Sequence, residues 1–365
     1  MQAYDYWGML IKHIGDVGTI FSDRFVYPRQ LEFGLPGNGN IACNFRCEHC
    51  QSATLNKALG DWEDVGLQLI SNLDGAIPYH IYCGVYTEPT LNPRLLDFIR
   101  ATKQSGASYG LHTNGSMMTG NIADSVCCEA TSKNDYVSIS IDAGSPSSFA
   151  KQKRVREDWF WRVVEGIKLL TARASLEGTP SIRLTYLLQD GVNDGVNEIE
   201  YIVRLARERG VDSLRFSVPY ATFGSTYSEL SNYRQMVEIP ADQKYGKLLE
   251  PYLSRGNSTE ITFMAPDTQD MTNTRFDRCV GGYYQITVGA DGYMYRCNSV
   301  ASPSFPGLRL GRVTSNLADF RDMIRVCQSR DFEVSECFSC GARCCRALLR
   351  MNDMYDKSRK GYCND

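Results

Sequence analysis

Between residues 31 and 220 the chain alternates short apolar runs with helical patterns, and this alternation limits its architecture more than any other feature. The runs are LEFGL (31–35), PYHIYCGV (78–85), SYGLHTN (108–114), YVSISID (136–142), SIRLTYLLQ (181–189) and SLRFSVPY (213–220). Several are apolar at nearly every position, the mark of strands covered on both faces. Between them, Pro93 to Ser105 follows the good N-cap Asn92 and stops at Gly106. Trp159 to Ala172 carries Phe160, Val163, Val164, Ile167 and Leu170 on one face, and Ile199 to Arg209 ends at Gly210. Strands alternating with helices imply an α/β fold with a parallel sheet. Six such units suit a partial (β/α)6, TIM-like barrel better than a closed eightfold one. After about residue 262 the pattern changes. YYQITVGADGYMYRC (283–297) reads as a β-hairpin turning at Asp291-Gly292, and a cysteine-rich stretch follows. The expected division is an N-terminal extension (1–30), the barrel (31–265) and a small cysteine-rich C-terminal domain (266–365).

The net charge of -3 argues against a broad nucleic-acid surface. The basic run Arg343, Arg346, Arg350, Lys357, Arg359 and Lys360 reads as a solvated helix face. Asp5, Lys12 and Asp16 interrupt any apolar centre near the N-terminus, and no apolar run is long enough for a membrane span. A cytoplasmic location is therefore expected. There, fourteen cysteines point to metal or thiol chemistry rather than disulfides, and only four histidines leave sulfur as the ligand.

Cys43, Cys47 and Cys50 stand in the loop after the first strand, as CNFRCEHC. Structural zinc is normally closed by four ligands, so three thiolates leave a position open, as a catalytic centre does. The loop sits at the carboxyl end of the sheet, where α/β folds keep their active sites. A zinc site or a chance cluster is the alternative for these thiols.

The Cys-x3-Cys-x2-Cys loop on a partial barrel resembles the radical S-adenosylmethionine (radical SAM) family. The resemblance implies a 4Fe–4S cluster on Cys43, Cys47 and Cys50. S-adenosylmethionine would chelate the fourth iron and yield a 5′-deoxyadenosyl radical that takes a hydrogen atom from the substrate. GVYTEPTLNP (84–93) is similar to the family's Gly-Gly-Glu-Pro element, with Tyr86 and Thr87 in place of the two glycines and Glu88 retained to meet the cofactor's amine. LHTNGS (111–116), with Asn114, and SISIDAG (138–144), with Ser140 and Asp142 near the ribose, resemble the ends of the third and fourth strands. By the same resemblance Arg183 is a candidate for the methionine carboxylate, and His49 stands where an aromatic residue usually lies by the adenine. Read singly, Glu88 is also a helix-capping acid, Asp142 a turn residue and Arg183 a surface ion-pair partner.

The later cysteines resemble the SPASM extension of that family, which holds two auxiliary 4Fe–4S clusters. Its pattern implies Cys279, Cys297 and Cys345 for one cluster and Cys337, Cys340, Cys344 and Cys363 for the other, with Cys327 available to complete the first. The spacing is shorter than usual around Cys344 and Cys345. A single-cluster "twitch" variant and a zinc ribbon remain open, because Cys-x2-Cys pairs also bind zinc. Cys83, Cys127 and Cys128 read as small hydrophobes.

Sulfatase-maturing relatives carry an aspartate base directly after the cysteine matching Cys297. Asn298 stands here and accepts no proton, which leaves Asp291, Tyr295 and Arg296 as nearby polar groups. Peptide-modifying relatives often begin with a leader-binding module, and about thirty residues precede the first strand here. The expected substrate is a small polar metabolite such as a sugar or nucleoside intermediate, with a peptide as the rival. A flavodoxin- or ferredoxin-type electron donor is the expected partner. A non-catalytic zinc-binding protein is the reading from another class.

Overall fold

The computed structural model describes residues 5–38, 41–47, 50, 61–83, 87–218, 241–254, 258–264, 278–303, 305–329 and 346–362. Helices α1 (Tyr6–Ile14) and α2 (Gly18–Phe21) lead into β1 (Gln30–Phe33). Then come α3 (Glu63–Leu73), β2 (Tyr79–Tyr82), α4 (Leu95–Gln104), β3 (Ser108–Thr113), α5 (Gly120–Glu129) and β4 (Tyr136–Ser140). They are followed by α6 (Pro146–Lys153), α7 (Asp158–Glu177), β5 (Ser181–Leu187), α8 (Val196–Glu208), β6 (Ser213–Ser217), α9 (Ala241–Leu249) and β7 (Glu260–Met264). The C-terminal part holds α10 (Gly281–Tyr284), β8 (Gln285–Val288), β9 (Tyr293–Tyr295), β10 (Arg309–Arg312), α11 (Leu317–Gln328) and α12 (Arg346–Tyr362).

All ten strands form one sheet in the order β10-β9-β8-β1-β2-β3-β4-β5-β6-β7. The six strands expected from the sequence run parallel, and β7 adds a seventh beside β6, with Ser213 opposite Glu260. Its five residues, EITFM, are too few to stand out as a periodic run. The hairpin does not stand off from the barrel: β8 runs parallel to β1, with Gln30 opposite Gln285 and Glu32 opposite Thr287. A partial TIM-like barrel with a hairpin added at its first strand describes the arrangement.

Alternation along the strands sorts the side chains. Leu31, Phe33, Leu111, Val137, Ile139, Leu184 and Leu214 face the helices and belong to one continuous core. Phe33 lies against Trp62, Tyr82 and Phe98, with ring centroids 6.1, 5.8 and 5.5 Å away. Fully burying one such side chain contributes about 1.5–3 kcal/mol. The hairpin is tied to this core by Trp62, whose Nε1 donates to the Ala290 carbonyl at 3.2 Å. Gly292 turns the hairpin at φ 74°, and a Cβ there would meet Trp62 Cδ1 at 2.8 Å. Both facts require glycine.

A second core joins the two ends of the described chain. Leu10, Ile14 and Ile20 pack with Val280, Tyr283, Leu348, Met351 and Tyr355. Arg278 fastens it by donating to the Ile20 and Gln328 carbonyls, at 3.0 and 2.8 Å, and to Asp23 at 2.6 Å. The N-terminal segment is thus built onto the cysteine-rich part rather than onto the barrel's helices. No helix among the described residues is long and apolar enough to cross a membrane.

Candidate cluster and cofactor site

The cysteine loop follows β1, and its neighbours come from the same edge of the sheet. Glu88 is the keystone. Its N–H donates to the Ala42 carbonyl at 2.8 Å, beside Cys43. Its carboxylate accepts from the Thr113 hydroxyl (2.5 Å) and the Asn114 N–H (2.7 Å) at the end of β3. It also accepts from the N–H and hydroxyl of Thr90, capping the short 3-10 turn Pro89–Leu91. One residue, through its N–H and its carboxylate, thus ties together three loops, from β1, β2 and β3. Burial pushes its pKa up, and these hydrogen bonds work against that shift.

Asn114 carries the connection to sulfur. Its Nδ2 donates to Asn44 Oδ1 at 2.9 Å and lies 3.6 Å from Cys43 Sγ. Burial, and then the Glu88 charge, push the Cys43 thiol up to about 12, with Cys47 and Cys50 adding to the rise. Burial also raises Cys47, and Lys153 opposes the rise. Cys43 and Cys47, within electrostatic reach of each other and of Cys50, are poor anions by themselves. A bound cation relieves both the burial and the repulsion, so the donor set fits a cluster with three protein ligands. Nearby, the buried Thr87 hydroxyl has no hydrogen-bond partner among the described residues, which suits a ligand's polar group.

Asp142 is buried and left-handed, at φ 51°. Its Oδ1 accepts from the Leu187 N–H at 2.7 Å, and Oδ2 is ion-paired with Lys153. Burial works against the Lys153 ammonium, but Asp142 and Cys47 outweigh it, so its pKa stands above the usual lysine range. Lys153 also anchors the cysteine loop through its carbonyl, which accepts from the Arg46 N–H at 3.1 Å. Ser140, beside Asp142, accepts from the Thr185 hydroxyl at 3.1 Å.

The structure therefore gathers Cys43, Cys47, Cys50, Thr87, Glu88, Asn114, Ser140 and Asp142 at the carboxyl edge of the sheet. It does not bring Arg183 there. That guanidinium lies 3.9 Å over the Tyr136 ring, at the opposite end of β4. His49 and Tyr86 lie outside the described residues, as do Cys337, Cys340, Cys344, Cys345 and Cys363. Cys279 and Cys297 are both buried. Cys279 Sγ accepts from the Gly281 N–H at 3.4 Å and lies 3.8 Å from Asn352 Nδ2 of α12. Cys327 is buried in α11, and a Cβ on Gly282 would meet its carbonyl at 2.5 Å, which places it beside α10, two residues past Cys279. Asp291 is already engaged by Tyr295 (2.8 Å) and Arg309 (2.9 Å).

Several polar residues missed by sequence reasoning share the inner face of the sheet. The Tyr136 ring covers Gly110, and its hydroxyl meets His112 Nε2 at 2.9 Å. Burial, with Arg215 and Arg183 nearby, pushes His112 down to about 3, so it is neutral at ordinary pH. Glu32 lies on this face of β1, 3% exposed. The available signal was a charge inside an otherwise apolar run, Glu32 in LEFGL.

Comparison with known proteins agrees with this geometry. The Radical SAM superfamily model matches residues 40–206, the span from the cysteine loop to α8. Over that span the chain carries a radical SAM domain, whose cofactors are S-adenosylmethionine and a 4Fe–4S cluster. A tungsten-containing aldehyde ferredoxin oxidoreductase cofactor-modifying protein of Pyrococcus furiosus is 34% identical over 79 residues. That match spans 21% of this chain and 22% of the relative. Among solved structures, Streptococcus suis SuiB superposes with a TM-score of 0.55 at 14% identity, covering 89% of this chain and 73% of SuiB. The anSMEcpe structure with bound AdoMet and Kp18Cys peptide gives 0.50 at 13% identity, covering 90% and 83%. These two likenesses extend over the C-terminal part, and its cysteine-rich sequence is consistent with a SPASM-type extension.

Proposed function

We propose that this chain is a cytoplasmic radical SAM enzyme that takes a hydrogen atom from a small polar metabolite, with auxiliary iron–sulfur clusters held by its C-terminal cysteines. The observation that carries the reading is the cysteine loop fixed, through Glu88 and Asn114, at the edge of a sheet whose inner face is polar. When bound, the cluster and S-adenosylmethionine supply the 5′-deoxyadenosyl radical.

The chain's own residues do the rest. Cys43, Cys47 and Cys50 hold the cluster and leave one position for the cofactor. Glu88 and the Thr87 hydroxyl receive the cofactor's amine, and Ser140 and Asp142 lie toward its ribose. Tyr136 closes the inner face under the reacting groups, and Arg183 offers its charge to an anionic group there. Cys279 and Cys297 serve an auxiliary cluster together with cysteines outside the described residues. A flavodoxin- or ferredoxin-type donor supplies the electron.

A peptide substrate is the second reading. It is favoured by SuiB, solved with its precursor peptide SuiA, and by anSMEcpe with a bound peptide. The deciding experiment incubates the reconstituted, reduced holoenzyme and S-adenosylmethionine with a polar-metabolite extract or with a peptide fraction. 5′-Deoxyadenosine together with a mass change in a metabolite supports the first reading, and a change in a peptide supports the second. Absence of 5′-deoxyadenosine from both refutes the enzyme.

A further inference from the structure

Glu32 occupies the middle of β1, between Leu31 and Phe33, and faces away from the helices. Gln30 Nε2 donates to it at 2.6 Å, the Thr287 hydroxyl of β8 at 3.3 Å and the Cys83 thiol after β2 at 3.9 Å. Asn298, from the turn after the hairpin, also hydrogen-bonds it. All four partners are neutral. Burial of a carboxylate held only by neutral donors is costly, because it penalises the charge and none of these four partners is a cation. Its pKa is accordingly pushed up by burial to about 7, the range suited to moving protons near neutral pH. The other ionisable groups around it are Cys83, Tyr136 of β4 and Tyr284 of α10, with Arg29 before β1 acting on both tyrosines. Burial raises both tyrosines above their ordinary range, so they stay protonated.

We propose that Glu32 is a substrate-contacting catalytic residue whose carboxylate accepts a hydrogen bond from a hydroxyl or amine of the substrate and takes its proton. One O–H bond forms on Glu32 and one O–H or N–H bond breaks on the substrate. The electron pair stays on the substrate heteroatom. The contact lies on the inner face, where β1, the end of β2 and Asn298 of the hairpin meet. The hairpin thus brings the C-terminal part onto the substrate through an amide that holds the base, while the base itself comes from the first strand. This inference rests on the enzymatic reading above and adds the substrate's chemical class: a molecule with an ionisable O–H or N–H group.

The test uses the full-length reconstituted holoenzyme, a water-soluble carbodiimide and glycinamide, with the modified peptides read by mass spectrometry. The proposal requires that these small reagents reach the Glu32 carboxyl in the native chain, although it is only 3% exposed. Its protonated fraction, followed in parallel by the infrared carboxyl band absent from Glu32→Gln, falls about tenfold between about pH 6 and about pH 8. The expected result is glycinamide on Glu32 in the folded protein and an infrared band that titrates in that interval. Modification of Glu32 only after unfolding in urea, or a band that does not titrate there, overturns the proposal. Neither readout depends on cofactor cleavage, so failure here leaves the enzymatic reading standing. Failure of that reading would show separately, as absence of 5′-deoxyadenosine.

Discussion

The Lys153 ammonium at the end of α6 is ion-paired with the Asp142 carboxylate at the end of β4, and both side chains are almost completely buried. The pair sits against the cysteine loop, within electrostatic reach of Cys47. Removing one partner leaves the other charge buried and uncompensated, at a cost of about 3–5 kcal/mol. Asp142→Asn is the cleaner variant, because asparagine tolerates the left-handed backbone at this position. Urea denaturation should show a loss of that order, and the double variant Asp142→Asn with Lys153→Met should lose less than the sum. Full additivity would mean that the two groups do not interact.

Changing Cys43, Cys47 and Cys50 together to alanine should lower the iron of the anaerobically reconstituted chain by about four per molecule. A fall from about twelve to about eight corresponds to two auxiliary clusters, and from about eight to about four to one. Iron that does not change, or zinc in its place, would refute a cluster on this loop.

Glu32 makes stability depend on pH in a definite direction. Its folded value of about 7 stands above the ordinary 4.5, so the folded chain holds the proton more tightly than the unfolded one. The stabilisation from that proton is fully present below the unfolded value and is lost as pH rises through the folded value. Across this window the loss is about 3 kcal/mol. Glu32→Gln carries no such charge. It should gain on the natural chain by up to that amount at about pH 8, and the advantage should disappear near pH 4.5. Urea midpoints at the two pH values check this, and an equal difference at both would show that Glu32 does not titrate with a raised pKa.

Gly110→Ala should displace the Tyr136 ring, since a Cβ would stand 2.4 Å from Tyr136 Cζ. The ring is held by His112 and overlaid by Arg183, so it moves at the expense of both contacts. Overpacking of this kind costs about 1–3 kcal/mol. Tyr136→Phe in the same background should restore little, because the ring rather than the hydroxyl makes most of the clash. Thermal unfolding of the variants measures both effects, and an unchanged midpoint for Gly110→Ala would mean that the ring is not fixed.

The sequence by itself determined the features that repeat or lie close together along the chain. Period-2 and period-3.6 patterns announced the parallel strands and their helices, Asp291-Gly292 announced the hairpin, and the spacing of Cys43, Cys47 and Cys50 announced a three-thiol centre. Each is a local signal, set by backbone geometry or by the reach of a short loop. Tertiary structure alone decided what distant segments do to one another. It joined β8 to β1, seated the N-terminal helix on α12, buried Lys153 against Asp142 beside the cysteine loop, and placed Asn298 on Glu32. A buried charge leaves no periodicity in sequence. Its pKa and its role follow from the dielectric and the partners that the closed fold assembles around it, which is why the sequence singled out neither Lys153 nor Glu32.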